Sequence, residues 1–184
     1  MCASLSQRKD PTEELEFATH LIKSVMDGID REKSIASMHV CRGNWSKDES
    51  ILLTGPYTPL LDLFADINAD LLALEFSTPR AGELKSLLAD ERIKNKIILG
   101  LGVLNPRFDQ KEDVDFIYNR AKEALTYIDK ENLWLNPDCG FATFSNRPVN
   151  EYENIRAKVG SMIEARDRLR ADYEWWYKLF FQIL

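Results

Sequence analysis

Positive charge is in short supply in this sequence. Its 184 residues carry 24 Lys and Arg against 30 Asp and Glu, a net charge of −6. That balance argues against nucleic acid or anionic membrane as a general partner, since both recruit clustered cations. Long apolar runs are also missing, and none approaches the roughly 20 residues of a membrane span. Residues 1–10 lack the apolar centre of a secretory signal and read as a short flexible lead-in. Cysteine is scarce: Cys2, Cys41 and Cys139 are too few and too scattered for a disulfide framework. A reducing, cytoplasmic setting suits them, where free thiols are buried, reactive or metal-bound. No internal repeat, low-complexity segment or linker interrupts the chain. It reads as a single domain over 1–184, long enough for a real core.

What is present is an alternation of helical and strand patterns. Asp10-Pro11-Thr12-Glu13 has the cap, the first-turn proline and the acidic third position of a helix start. Leu15, Ala18, Leu21, Ile22, Val25 and Met26 then recur at helical spacing, and Gly28 ends the run. Residues 34–41 read as a strand. A loop to about Thr58 follows, then a second helix with Leu60, Leu61, Phe64 and Ile67 on its apolar side. Leu71–Phe76 and Lys96–Val103 read as strands buried on both faces. Helices are expected over 80–92, 111–129 and 150–173, with a last strand over Leu133–Pro137. Residues 174–184 form an apolar, aromatic tail. This order predicts an α/β fold of parallel strand-helix units, as in a TIM-type (β/α)8 barrel. Four units make half of such a barrel; the full ring needs roughly 250 residues.

In that class the chemistry sits at the C-terminal ends of the strands. The first strand ends in His39 and Cys41, which share a face because residues i and i+2 do. Glu75 ends the second, Asn105-Pro106-Arg107 follows the third, and Asp138-Cys139-Gly140 follows the fourth. His, Cys, Glu and Cys make a four-ligand zinc set. Glu75 lies in an apolar run, where a carboxylate needs a cation; zinc, Arg80 or Arg107 could supply it. Either cysteine could instead be an inert buried thiol. Two thiolates and a carboxylate around a dication leave the site net negative. Such a metal activates carbonyls poorly but suits a bound thiol, lowering its pKa while leaving the sulfur nucleophilic. Alkyl transfer to a thiol is the chemistry this charge favours.

Four strings, His39-Val40-Cys41-Arg42-Gly43-Asn44, Leu74-Glu75-Phe76-Ser77-Thr78-Pro79-Arg80, Gly100-Leu101-Gly102-Val103 and Asn136-Pro137-Asp138-Cys139-Gly140, resemble the C-terminal barrel of cobalamin-independent methionine synthase and its shorter relatives. The likeness covers roughly residues 12–170 and corresponds to the second half of that barrel. It implies zinc on His39, Cys41, Glu75 and Cys139. It also implies a small thiol substrate, homocysteine first, which accepts a methyl group from a methylated folate or a methyl-corrinoid. The first half of the barrel and its Asp-Glu-Pro motif have no counterpart here. Leu104-Asn105-Pro106-Arg107 stands where full-length synthases carry a histidine proton donor, so no catalytic residue is assigned.

Four further residues lie at the strand ends. Asp138 either supports a ligand or is a plain turn residue. Arg42, Arg80 and Arg107 either meet a substrate carboxylate or, the plainer reading, form surface ion pairs. Trp45 covers the site or simply packs. His20, mid-helix, and Cys2 read as structural or inert. Gly100-x-Gly102 lies inside a strand and reads as close backbone packing. The competing functional reading is an inactive or truncated half-barrel with a structural zinc, acting only in an assembly. Self-association or a complementary half-barrel would close its open edges.

Overall fold

The computed structural model describes residues 10–94, 96–142 and 150–173. Lead-in residues 1–9, with Cys2, and tail residues 174–184 lie outside the described residues. The chain opens on helix α1 (Pro11–Asp27), whose cap Asp10 accepts a hydrogen bond from the Thr12 N–H at 2.9 Å. Strand β1 (Ser37–Val40) follows, then a loop with a short 3-10 turn at Glu49–Ile51. Next come α2 (Leu61–Asp66), β2 (Leu71–Glu75), the short helices α3 (Leu84–Leu88) and α4 (Glu91–Lys94), and β3 (Ile98–Leu104). Helix α5 (Val114–Ala124), β4 (Leu133–Pro137) and α6 (Tyr152–Asp172) complete the described chain.

The four strands form one parallel sheet in the order β1-β2-β3-β4. Sequence order and spatial order coincide, as expected when each connection is a short helical crossover. Two elements depart from the sequence expectation. The helix expected over 80–92 is broken into a 3-10 turn at Pro79–Ala81 and the pair α3 and α4. Asp90 lies between those two helices, and its carboxylate accepts from the Arg92 N–H at 2.9 Å, so it serves as a new cap. The helix expected over 111–129 shortens to 114–124: Asp113 caps its start by accepting the Asp115 N–H, and Leu125 closes its end.

Strand phase divides the side chains between two faces. Leu72, Leu74, Leu99, Leu101 and Val103 are wholly buried, together with Leu84, Leu87, Ile93, Ile117, Ala121, Ala124 and Ala165 from the helical layer. Burying each large aliphatic side chain stabilises the fold by about 1.5–3 kcal/mol, so this layer is the core. The opposite face carries His39, Ala73, Gly100 and Trp134 in one cross-strand row, then Glu75, Gly102 and Asn136 in the next. Ser37 and His39 on this face are exposed, and Trp134 and Asn136 are half-buried. The sheet is therefore covered on one side and open on the other.

Candidate metal centre

The open face and the strand ends meet at one cluster. Cys41 stands one residue past β1, Glu75 ends β2, and Cys139 stands two residues past β4. One ligand atom from each of His39, Cys41, Glu75 and Cys139 lies within 4.8 Å of every other. Cys139 is the hub: its Sγ is 3.3 Å from His39 Nε2, 3.4 Å from Cys41 Sγ and 3.3 Å from Glu75 Oε1. A zinc tetrahedron with bonds of about 2.0–2.3 Å has donor-to-donor edges of roughly 3.3–3.8 Å, which these spacings match. A disulfide is excluded, because the sulfurs stand well beyond the roughly 2.05 Å of an S–S bond. The donor set and its geometry thus fit a thiophilic divalent metal. The structure brings together all four residues singled out from the strand ends.

Each donor is aimed by its neighbours. His39 Nδ1 lies 2.8 Å from the Ala73 carbonyl oxygen, to which it donates, and this frees Nε2 to face the sulfurs. Cys41 Sγ accepts the Gly43 N–H at 3.2 Å. Gly43 has a φ of +115°, and a Cβ there would come within 2.7 Å of the Trp45 ring. Trp45 thus packs on the turn, while staying about half exposed. Asn44 bridges from this loop to the Gly140 carbonyl oxygen at 2.7 Å.

Glu75 is buried, and its two oxygens face different ways. Oε1 accepts the Arg42 N–H at 2.7 Å and approaches Cys139, while Oε2 accepts from Arg80 Nη2 at 2.9 Å. The Glu75 N–H donates to the Tyr57 hydroxyl at 3.0 Å. Arg42 lays its guanidinium over the Tyr57 ring, 4.0 Å from the centroid. The reading of the three arginines as surface ion pairs is corrected here. Arg42 is 8 % exposed, the Arg80 side chain 6 % and Arg107 0 %. Buried Glu75 draws in Arg80, and buried Asp138 and Glu75 draw in Arg107, whereas the Arg42 guanidinium is held by the Tyr57 ring.

Asp138 is buried against the β2 end. Its Oδ1 accepts the Phe76 and Ser77 N–H groups, both at 3.0 Å, and its Oδ2 accepts the Ser77 hydroxyl. Burial pushes the Asp138 carboxyl up to about 6, against the Ser77 hydrogen bonds that pull it down. Gly102 makes room for it, since a Cβ there would collide with the Asp138 carboxylate. Gly100 likewise lets Ala73 approach, so the Gly-x-Gly pair does serve close packing.

The protonation pattern matches a centre built for a cation. The Cys139 thiol, donating to Cys41, lowers the Cys41 thiol to about 4, and His39 and the Gly43 N–H assist. Cys139 is pushed strongly up, first by that shared proton and then by burial and Glu75. His39 is raised, chiefly by its hydrogen bond with Cys41. Four anionic or basic donors thus compete for few protons, and a divalent ion would displace those that remain.

Glu49, Tyr57 and Ser77 also support the cluster and were not anticipated. Glu49 opens the 3-10 turn and Tyr57 stands in the loop after it, with nothing in their local sequence to mark them, while Ser77 falls inside the Leu74–Arg80 string, which gives it no role of its own. His20 lies on α1, where it lines a cleft with Glu16, Lys23, Asp62, Asp66 and Arg92, away from the cluster. Among the described residues, no helix is long and apolar enough to cross a membrane.

Residues 3–167 match the family model described as "Cobalamin-independent synthase, Catalytic domain". Among curated relatives, the uncharacterized protein YxjG of Bacillus subtilis is 31% identical over 145 residues, covering 77% of this chain and 37% of that protein. A methionine synthase of Pyrococcus abyssi is 30% identical over 162 residues, covering 88% and 40%. The chain therefore spans well under half the length of these relatives. Among solved structures, a B12-independent methionine synthase from Shewanella sp. W3-18-1, in complex with selenomethionine, superposes with a TM-score of 0.67. That match covers 88% of this chain and 45% of the other at 17% identity, and it shows the fold: a partial TIM-type barrel.

Proposed function

The chain belongs to the cobalamin-independent methionine synthase family, and we propose that its His39-Cys41-Glu75-Cys139 cluster holds zinc and serves methyl transfer to a thiol, homocysteine first. The single observation that carries this reading is the donor geometry, with Cys139 Sγ at 3.3–3.4 Å from the other three donors. Zinc in such a set would lower the thiol's pKa and hold its sulfur ready as a nucleophile. The donors themselves do the rest. His39 and Cys41 are exposed on the open face, which leaves the approach side for substrate. Glu75, buried and held by Arg42 and Arg80, keeps the rear of the centre closed to water.

In the reaction the thiolate sulfur attacks the methyl carbon of a methylated folate or a methyl-corrinoid. The new bond is S–C; the bond from methyl to donor breaks, and its electron pair stays with the donor. No described residue is assigned as proton donor to a folate product. A cytoplasmic setting keeps Cys41 and Cys139 reduced and suits this chemistry. The test is to measure zinc in the purified chain, then assay methyl transfer to homocysteine with each donor class offered separately. Zinc in about one equivalent, with turnover of either donor abolished by a chelator, is the expected result. A chain that holds no zinc and is unchanged by chelator refutes it.

A second reading has its own observation. Helix α1 buries Met26 and packs Leu15 and Ile22 against the core, yet exposes Phe17, Leu21 and Val25 at 61 %, 49 % and 68 %. These three recur every fourth residue and form one stripe. The opposite flank of α1, with Glu16, His20 and Lys23, lines the cleft toward α2. The apolar stripe thus looks away from the described fold, and β1 is an edge strand whose outer edge is unpaired among the described residues. This favours a covering partner, a complementary strand-helix half-barrel or a second copy, with a structural zinc and a chain that acts only in that assembly. Sedimentation of the chain alone separates the cases: a folded monomer at all concentrations counts against self-association.

A further inference from the structure

Arg107 is the largest wholly buried side chain among the described residues, and the zinc chemistry proposed above gives it no role. A guanidinium so placed must be paired on every side to be tolerated. Its Nε donates to Glu49 Oε1 at 2.9 Å, Nη1 to the Gly43 carbonyl oxygen at 3.3 Å, and Nη2 to Asp138 Oδ2 at 3.5 Å. Nη1 also lies 4.0 Å from Glu75 Oε2. Three of these four contacts sit at or beside the cluster. Gly43 is the residue whose N–H points at Cys41 Sγ, Asp138 precedes Cys139, and Glu75 is itself in the cluster.

We infer that Arg107 is the positioning residue of the metal centre, one planar cation that locks the loops carrying Cys41 and Cys139 and the strand end carrying Glu75 at a common spacing. This rests on the cluster being a metal centre. Arg80 differs, because it meets Glu75 Oε2 and only the far part of the Cys41 loop, at the Leu53 carbonyl oxygen, and hydrogen-bonds to neither Gly43 nor Asp138. With Oε2 drawn toward Arg80 and Arg107, Glu75 presents Oε1 alone to the sulfurs. Glu49 in turn fixes Arg107, accepting also from Asn105 Nδ2 at 2.8 Å, and Asn105 Oδ1 accepts the Arg107 N–H at 3.0 Å. The fork geometry matters. A lysine has a single nitrogen and cannot reach Glu49, Gly43 and Asp138 from one position.

The experiment uses the full chain with Arg107→Lys, Arg107→Met and Glu49→Gln variants, loaded with cobalt(II) as a spectroscopic probe and with zinc. Chelator competition gives the metal dissociation constants, the cobalt ligand-field and thiolate charge-transfer bands give the geometry, and circular dichroism reports the fold. The expected result is a loss of metal affinity of about 10- to 100-fold in both Arg107 variants, with altered cobalt bands and no rescue by lysine. Glu49→Gln shows a smaller loss of the same sign. Folded variants with wild-type affinity and spectrum overturn the inference, as does full rescue by Arg107→Lys. If the Arg107 variants fail to fold, a folded Glu49→Gln with unchanged affinity and bands overturns it alone. A wild-type chain that binds neither metal fails differently: the metal centre itself falls, and the role of Arg107 with it.

Discussion

Cys139→Ser is the sharpest perturbation available, because Cys139 is the one donor in contact with all three others. The substitution is nearly isosteric and leaves Asp138, which anchors the same loop through Phe76 and Ser77, in place. The fold should therefore survive. What is lost is one thiolate of four donors, since a serine hydroxyl stays protonated near neutral pH. Structural zinc sites contribute about 10–16 kcal/mol. An equal quarter share is ~3 kcal/mol, roughly two orders of magnitude in Kd. Competition with a chromogenic chelator at pH 7.5 or so would read this directly, beside a thermal melt of the metal-free chain. Cys139→Ser that retains zinc with wild-type affinity would remove Cys139 from the donor set. A variant that binds weakly only because it is unfolded would be exposed by the melt.

Three further outcomes follow from the same geometry. Gly102→Ala pushes a Cβ into the Asp138 carboxylate and the Leu74 carbonyl oxygen, and should destabilise by about 1–3 kcal/mol in urea unfolding; an unchanged midpoint would refute that close fit. Tyr57→Phe removes the hydroxyl that accepts the Glu75 N–H and should cost about 1–3 kcal/mol, measured by the same unfolding curve, while the Arg42 stack on the ring persists. Replacing Phe17, Leu21 and Val25 with serine should leave the stability of the isolated chain within about 0.5 kcal/mol per site and abolish any concentration-dependent association seen by sedimentation. Association that survives the triple change would place the interface elsewhere.

Much of the centre was legible because strand phase is local. His39 and Cys41 share a face through their spacing alone, and Glu75 stands out as a carboxylate closing an apolar run. The helix expected over 80–92 shows the limit of periodicity. Leu84, Leu87, Leu88 and Ile93 carry a helical pattern, but Asp90 hydrogen-bonds to the backbone ahead of it and restarts the helix. A capping side chain competes with the ladder it interrupts, and hydrophobic spacing does not register that competition.

The sequence by itself determined the order of elements, the parallel class of the sheet and which four residues stand at the strand ends as candidate donors, because each follows from neighbours along the chain or from a recurring string. Tertiary structure alone decided how the donors are held. Arg42, Arg80 and Arg107 are alike as residues near strand ends. Their burial depends on which loops converge, and Arg107 meets Glu49, Gly43 and Asp138 across 58, 64 and 31 positions of chain. The same holds for the stripe of Phe17, Leu21 and Val25: its helical spacing predicts an apolar face, but only packing reveals that this part of the face is left uncovered.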